Sequence, residues 1–333
     1  MTLHPATPEE LAAALRAAHE SGGRVERADL SRLARVLEHT PEDMTVTVEA
    51  GCTLAALQRT LKPGGQWLPI DPPNPEGLTL AELLDRNVSG PRRGGCGTIR
   101  DYVIGLRVAL ADGRLIRNGG KVVKNVAGYD LIKMFIGARG TLGVIVEVAF
   151  KLLPLPAAEA FVQAGCESLD SAEALIARVL DSELTPVVFD AHNHSPANDA
   201  ISSSAPPARG RDEAAPAVAP LHLVLGFAGS RAAVDWQLAL AGRLGFTGAA
   251  TLDYEAAFHA PGQTAPHCVS VLPSRLVETL RAIGPAPFVA RAANGILHHR
   301  GVPNPAPTDL PRQLNSRVKQ AFDPNRVLPE PTL

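Results

Sequence analysis

Gly137, Gly140 and Gly143 recur at every third residue, between a run with helical spacing (Leu131, Phe135, Ile136) and an alternating stretch that starts at Val144. Glycines in such a junction allow positive φ and let another group touch main-chain N–H and C=O directly. The surrounding segment, "GGKVVKNVAGYDLIKMFIGARGTLGVI", runs helix then strand. That is the reverse of the dinucleotide fingerprint G-x-G-x-x-G, which follows a strand and opens a helix. Spacing alone leaves two readings open: a wall against which a ligand lies, and a tight turn.

Local signals around this junction predict alternating helices and strands. "TPEELAAALRAAHESGG" has Thr7 as N-cap, Pro8 at the first helical position, Glu10 three residues on, Leu11, Leu15 and Ala18 on one face, and a stop at Gly22 and Gly23. "MTVTVEAG" alternates Met44, Val46, Val48 and Ala50 against polar residues, and Thr53 then caps a helix carrying Leu54, Leu57 and Leu61. "IGLRVALADGRLIRNGG" turns at Asp112-Gly113 and reads as a hairpin. "VIVEVAFKLLP" alternates again before Pro154 and Pro156.

Beyond Pro156 the order changes. Ser171 to Leu180 reads as a helix and "TPVVFDA" as extended. Ser195 to Ala219 is rich in Ser, Pro and Ala without apolar period, so a mobile linker is expected over 195–219. "LHLVLGFAG", "VSVLP" and "PFVARAANGIL" read as strands, "SRAAVDWQLALAGRLG" and "SRLVETLRAI" as helices. "LPRQLNSRVKQAFDP" reads as an amphipathic helix with Leu314, Val318 and Phe322 on one side. This is a separate α+β layer.

A chain of 333 residues, 45% hydrophobic, is longer than a single core usually grows, so two domains are expected. The 32 basic and 34 acidic residues nearly cancel, and only 4% are aromatic, which argues against a nucleic-acid surface. No apolar run approaches the roughly 18 residues of a membrane span, and Glu9 and Glu10 stand where a signal peptide would be apolar, so a cytoplasmic protein is expected. Cys52, Cys96, Cys166 and Cys268 are far apart, with no C-x-x-C pair. That argues against an iron–sulfur cluster, a zinc site or a disulfide framework in this chain, and predicts buried small hydrophobes.

The glycine segment, together with "SGPRRGGCGTIRDYVIGLRVALADG" and "MTVTVEAGCTLAALQ", resembles the FAD-binding domain of the vanillyl-alcohol-oxidase (PCMH) flavoprotein superfamily. Within it the chain is similar to the family of FAD-binding subunits E of bacterial glycolate oxidase. "VSVLPSRL", "ANGILHHRG" and "VKQAFDPNRVL" extend the resemblance into the second half. It implies an α+β protein: a PCMH-type FAD-binding domain over 1–156, then a smaller ferredoxin-like α+β substrate or cap domain over 157–333. It also implies FAD as cofactor, oxidation of a 2-hydroxy acid to the 2-oxo acid by hydride transfer to the flavin, and two partners, a second flavin subunit and an iron–sulfur subunit. Such a complex would lie in the cytoplasm, peripheral to the inner face of the membrane through its partners.

Position by position, the resemblance implies that Ser89, Gly90, Gly97, Thr98 and Asp101 line the ribityl and pyrophosphate region and that Thr79, Asn87 and Gly137 also belong to the cofactor site. Asn125 and Gly128 would lie near the isoalloxazine, and Gly140, Gly143 and Ile145 would offer main-chain contacts to the nucleotide end. Each residue also has a structural use: Asp101 as a cap, Asn125 within a loop, the glycines in turns.

Two departures from that family pattern bear on function. "AAHESGGRVERADLSRLARVL" runs almost directly from the first helix to the next element, so the first glycine-rich loop and its strand read as deleted. In "LTLAELLDRNVSG" Ala81 and Glu82 replace a paired glycine, which would set a carboxylate against two phosphate charges, with Arg92, Arg93 and Arg100 near in sequence. The alternative function is a degenerate flavin fold without FAD, kept as a structural or assembly subunit. Elsewhere, Asp190, His192 and His194 have donors for zinc but read as an exposed polar stretch. His298, His299 and Arg300 could hold a substrate carboxylate, although a strand end with ordinary polar residues explains them too.

Overall fold

The computed structural model describes residues 1–120, 130–194, 220–260, 262–302 and 309–331, with backbone alone for 309–312. Asn125, Gly128 and the expected linker 195–219 lie outside the described residues. The chain divides into two compact units. Unit 1 comprises Met1–Ser89, Thr98–Leu155 and Ala306–Leu333, and unit 2 comprises Gly90–Gly97 and Pro156–Pro305. The boundaries therefore differ from a cut after residue 156: the C-terminal helix belongs to unit 1 and Gly90–Gly97 to unit 2.

Unit 1 opens with helix α1, Pro8–Ser21, whose Thr7 side chain accepts from the Glu10 N–H and whose C-cap Gly22 is left-handed. Strands β1 (Val36–Thr40) and β2 (Thr45–Glu49), helices α2 (Leu54–Leu61) and α3 (Leu80–Asp85), and strands β3 (Val103–Ala109) and β4 (Leu115–Gly119) follow. One-turn helix α4, Ile132–Phe135, leads through the glycines into β5, Val144–Lys151. The sheet order β1-β2-β5-β3-β4 is antiparallel throughout. Leu11 and Leu15 of α1, Leu54, Leu57 and Leu61 of α2, and Leu80, Leu83 and Leu84 of α3 are buried in one core with Val46, Val48, Val108 and Val146. Each such side chain contributes about 1.5–3 kcal/mol by leaving water. Glu49, on the side of β2 that alternation marks as polar, is also buried; its carboxylate accepts from the Arg35 N–H and guanidinium, both at 2.7 Å.

Unit 2 begins with β6 (Ala158–Cys166), α5 (Leu169–Leu180), β7 (Val188–His192), β8 (Leu221–Gly229), α6 (Arg231–Leu244) and β9 (Gly248–Ala249). These strands pair antiparallel in the order β9-β6-β8-β7, two interleaved βαβ turns of ferredoxin-like type. After α7 (Asp253–Phe258), β10 (His267–Ser270), α8 (Leu276–Ile283), β11 (Phe288–Arg291) and β12 (Ile296–His299) extend the β7 edge to seven strands, ending β7-β11-β12-β10. "PFVARAANGIL", read as one strand, is thus a hairpin. It turns at Gly295 (φ 71°), where an added Cβ would lie 2.0 Å from the Val271 carbonyl oxygen.

Helix α9, Asp309–Phe322, packs in unit 1 through Val318, Phe322 and a buried Lys319, whereas Leu314 is exposed. The Phe322 ring meets Phe135 edge-on at 5.8 Å. Of the cysteines, Cys52 is buried but Cys268 is exposed, against the sequence expectation.

Candidate nucleotide-binding site

The glycine junction takes its shape from unit 1 itself. Gly137 (φ 84°) and Gly140 (φ 70°) need the left-handed region, and Arg139 between them sits there too (φ 54°). The Gly137 and Arg139 N–H groups donate to the Leu84 and Asp85 carbonyls at the end of α3 (2.9 and 2.8 Å). At Gly143 an added Cβ would stand 2.6 Å from Val108 Cγ1 and 3.1 Å from the Ala109 carbonyl oxygen, so packing against β3 demands glycine there. Ile145 is buried and pairs with Val108. Lys319, buried on α9, donates to the Thr141 carbonyl (2.9 Å), the Leu328 carbonyl (3.0 Å) and Asp323 (2.6 Å). A buried ammonium with this many acceptors is compensated, and it pins the loop from behind.

The same loop borders a cleft of about 200 Å³ whose walls include Arg27, Asp29, Thr79, Glu82, Asp85 and Arg139. Thr79 caps α3 in a reciprocal box. Its N–H and Oγ1 donate to Glu82 Oε2 (3.2 and 3.1 Å), and its Oγ1 accepts from the Glu82 N–H (3.2 Å). The Leu80 and Ala81 N–H groups donate to the Cys52 and Ala50 carbonyls, at 2.9 and 2.7 Å. Burial pushes the Asp85 carboxyl up to about 7, against the pull of the Gly140 N–H, and its Oδ1 has no hydrogen-bond partner. Asn87 is left-handed (φ 48°), and its buried Oδ1 is likewise unpaired.

The remaining nominated residues divide between the units. Thr98 and Asp101 cap one another, with the Thr98 N–H and Oγ1 donating to Asp101 Oδ2 at 2.7 and 2.9 Å. Ser89 ends the first stretch of unit 1, while Gly90 and Gly97 (φ 86°) bound the short stretch assigned to unit 2. Arg92, in that stretch, pairs with Glu159 at 2.6 Å, so it is not a free counter-charge for Glu82. Where the first glycine-rich loop and its strand read as deleted, the chain has a two-residue strand, Arg27–Ala28, paired in parallel with Thr2–Leu3. The loop after it, 29–35, closes directly over Gly51, where a Cβ would meet the Leu30 carbonyl oxygen at 1.8 Å.

Unit 2 holds a buried polar centre that sequence reasoning saw only in part. Asp190 on β7 accepts from Tyr254 Oη (2.6 Å) and Arg291 Nη1 (2.5 Å), and Arg291 Nη2 donates to Glu255 (2.6 Å). One guanidinium thus serves two buried carboxylates. Burial drives the Asp190 carboxyl up to about 7, with Arg291 opposing. For Glu255 the Arg291 charge and hydrogen bond overcome burial and leave the pKa lowered. His192 lies flat on Tyr254 (4.1 Å, 6°); its Nδ1 bonds the His194 carbonyl, so Nδ1 carries the proton and Nε2 the lone pair. Burial lowers His192 to about 4.

The expected exposed reading of Asp190, His192 and His194 is therefore corrected: all three are buried, Asp190 and His192 on β7, an interior strand, and His194 just beyond its end. No group of three or more His, Cys, Asp or Glu able to hold a metal occurs among the described residues. His298, His299 and Arg300 do not converge. Along β12, His298 approaches His259 (5.3 Å between rings) and His299 approaches His267 (5.4 Å). Arg300 donates to the Thr264 and Phe258 carbonyls and stacks on the Phe258 ring. Tyr254, Glu255 and Arg291 carry no motif of their own.

Residues 28–119 match the FAD binding domain family, a stretch that runs from the Arg27–Ala28 strand to the end of β4. Solved structures of alkyldihydroxyacetonephosphate synthase superpose with TM-score 0.70 over 98% of this chain and 76% of theirs, at 18% identity. The chain carries a PCMH-type FAD-binding fold. Among curated proteins it is similar to glycolate oxidase subunit GlcD of Bacillus subtilis, 36% identical over 156 residues, 47% of this chain and 33% of that one. It is similar also to glycolate oxidase subunit GlcE of Escherichia coli, 38% over 124 residues, 37% and 35%. D-lactate dehydrogenase [cytochrome] of Arabidopsis thaliana is 37% identical over 128 residues, 38% and 22%. These matches span about a third or less of each relative's length. Over those stretches the chain is similar to proteins named as FAD-linked oxidoreductases, glycolate oxidase subunits and D-lactate dehydrogenases.

The PCMH-type fold raises the question of whether these residues suit the cofactor. Near the cleft they do not suit its diphosphate. The N–H groups of Thr79, Leu80, Ala81 and Glu82 are all taken by partners within unit 1. In 29–35, the Asp29, Ser31, Leu33 and Arg35 N–H groups donate to Leu3, Asp29, Leu30 and Glu49. Glu82 sets a carboxylate at the rim of this cleft, where it would repel a phosphate held there.

Proposed function

We propose that the chain is a flavin-fold subunit of an oxidoreductase complex that converts a 2-hydroxy acid of the glycolate or lactate type to the 2-oxo acid. A second flavin subunit and an iron–sulfur subunit complete the complex. What supports this most is the coincidence of two findings: residues 28–119 match an FAD binding domain, and the relatives sharing the stretch include glycolate oxidase subunits and D-lactate dehydrogenases. Cys52, Cys96, Cys166 and Cys268 lack the spacing of a cluster site, so the one-electron relay is assigned to a partner. The second reading, a scaffold subunit of the same complex without its own FAD, is favoured by the N–H groups of Thr79, Leu80, Ala81 and Glu82, which are taken by partners within unit 1.

Co-expression with a flavin subunit and an iron–sulfur subunit tests the proposal. The expected outcome is a stable complex whose glycolate- or D-lactate-dependent dye reduction is lost when this chain is left out. Elution of this chain as a lone monomer, with full activity in the remaining subunits, would overturn it. FAD content then separates the two readings, since a scaffold subunit adds none to that of its partner.

A further inference from the structure

The cleft in unit 1 is bordered by an anion that belongs to the chain. Glu82 Oε2 takes the N–H and Oγ1 of Thr79, and Oε1 stands 3.8 Å from Arg27 Nη2. A diphosphate would compete for those same partners, the two uncharged donors and one guanidinium. Glu26 and Asp29 line the cleft as well, so with Glu82 the wall carries three carboxylates against the guanidiniums of Arg27 and Arg139. Glu82 is anchored at both ends of the capping box and cannot swing clear without giving up the cap of α3. The cradle that loop 29–35 could have offered instead is closed by its contact with Gly51.

We infer that Glu82 is an internal stand-in for the cofactor's diphosphate, and that its negative charge sets how weakly this chain holds a flavin dinucleotide. The inference rests on the flavin-subunit reading and adds a specificity-determining residue to it. A flavin without phosphates does not meet this repulsion, so the effect of Glu82 belongs to FAD and not to riboflavin. Like charges at about 4 Å in a half-exposed site interact strongly enough to change affinity by roughly tenfold or more.

Titration of FAD and, separately, riboflavin into the purified full chain by flavin fluorescence tests this, using wild type, Glu82→Gln and Glu82→Ala. Glutamine keeps a side chain able to cap, and the Glu82 side chain is 43% exposed, so the fold should tolerate the change; thermal unfolding checks it. Glu82→Ala serves as the second variant if the first does not fold. The expected result is FAD affinity raised about tenfold or more in both variants with riboflavin unchanged. Equal, tight FAD binding by wild type and variants would overturn the inference while leaving the flavin-subunit reading intact. An equal gain for riboflavin would overturn it by removing the phosphates from the argument. If none of the three proteins bound FAD, both the inference and an FAD site on this chain would fail.

Discussion

In unit 1 the carboxylate of Glu82 stands half exposed at a cleft, held by a threonine cap and a distant arginine, whereas in unit 2 Asp190 and Glu255 are sealed around Arg291. The first is a local device: Thr79 and Glu82 are three residues apart, and solvent screens whatever charge remains. The second joins residues 36 and 101 apart in sequence and is sealed from bulk solvent. The contrast shows where the chain tolerates change. An anion at the cleft rim can be removed with modest consequences for the fold, while the buried triad stands or falls as a set.

Replacing the shared guanidinium should break that contrast most severely. Arg291→Met leaves two buried carboxylates without their cation, and should cost about 3–5 kcal/mol in denaturant unfolding. A loss below about 1 kcal/mol would mean that the triad is no more critical than a surface pair.

A pH series on Asp85→Asn sharpens the comparison from the other side. Burial holds the Asp85 carboxyl at about 7, so between its ordinary value near 4 and about 7 the folded chain keeps a proton that the unfolded chain releases. The Asp85 contribution to stability therefore falls as pH rises through that window and levels off above it. Relative to wild type, Asp85→Asn should gain progressively from pH 4 to pH 7, by on the order of 2–4 kcal/mol at the top. In unit 2 the sign is mixed over the same range. Asp190 acts like Asp85, but His192 and His298, both lowered to about 4 by burial, favour the folded state as pH rises toward 6.5. A variant whose advantage over wild type did not change with pH would show that Asp85 is not the proton holder.

The smallest effect should come from Thr98→Ala. It removes one half of a solvent-exposed capping box with Asp101, and should cost about 0.5–2 kcal/mol by thermal unfolding. If Thr98→Ala instead left stability unchanged and weakened flavin binding, the residue would be part of a ligand site and not a cap.

Much of unit 1 was legible in the sequence because its signals are local. Thr7 and Thr53 announce their helices, Asp112-Gly113 its hairpin, and alternation from Val144 its strand, each within a few residues of the structure it specifies. The departure at Ala81 and Glu82 could be read too, since it falls between two of the segments that carry the resemblance. What could not be read is where such residues spend their hydrogen bonds. That Gly143 serves Val108, that Glu49 is buried against Arg35, and that Gly295 yields to the Val271 carbonyl follow from neighbours supplied by other elements. The same holds for Asp190, which beside two histidines looks like a surface stretch. Only when β7 is placed inside a seven-stranded sheet, with Arg291 from β11 and Glu255 from α7 brought to it, does it become a buried acid paired with a buried guanidinium. Backbone geometry and caps are decided over a few residues. Desolvation and charge pairing are decided by whatever the folded chain brings alongside, and no local stretch of sequence carries that information.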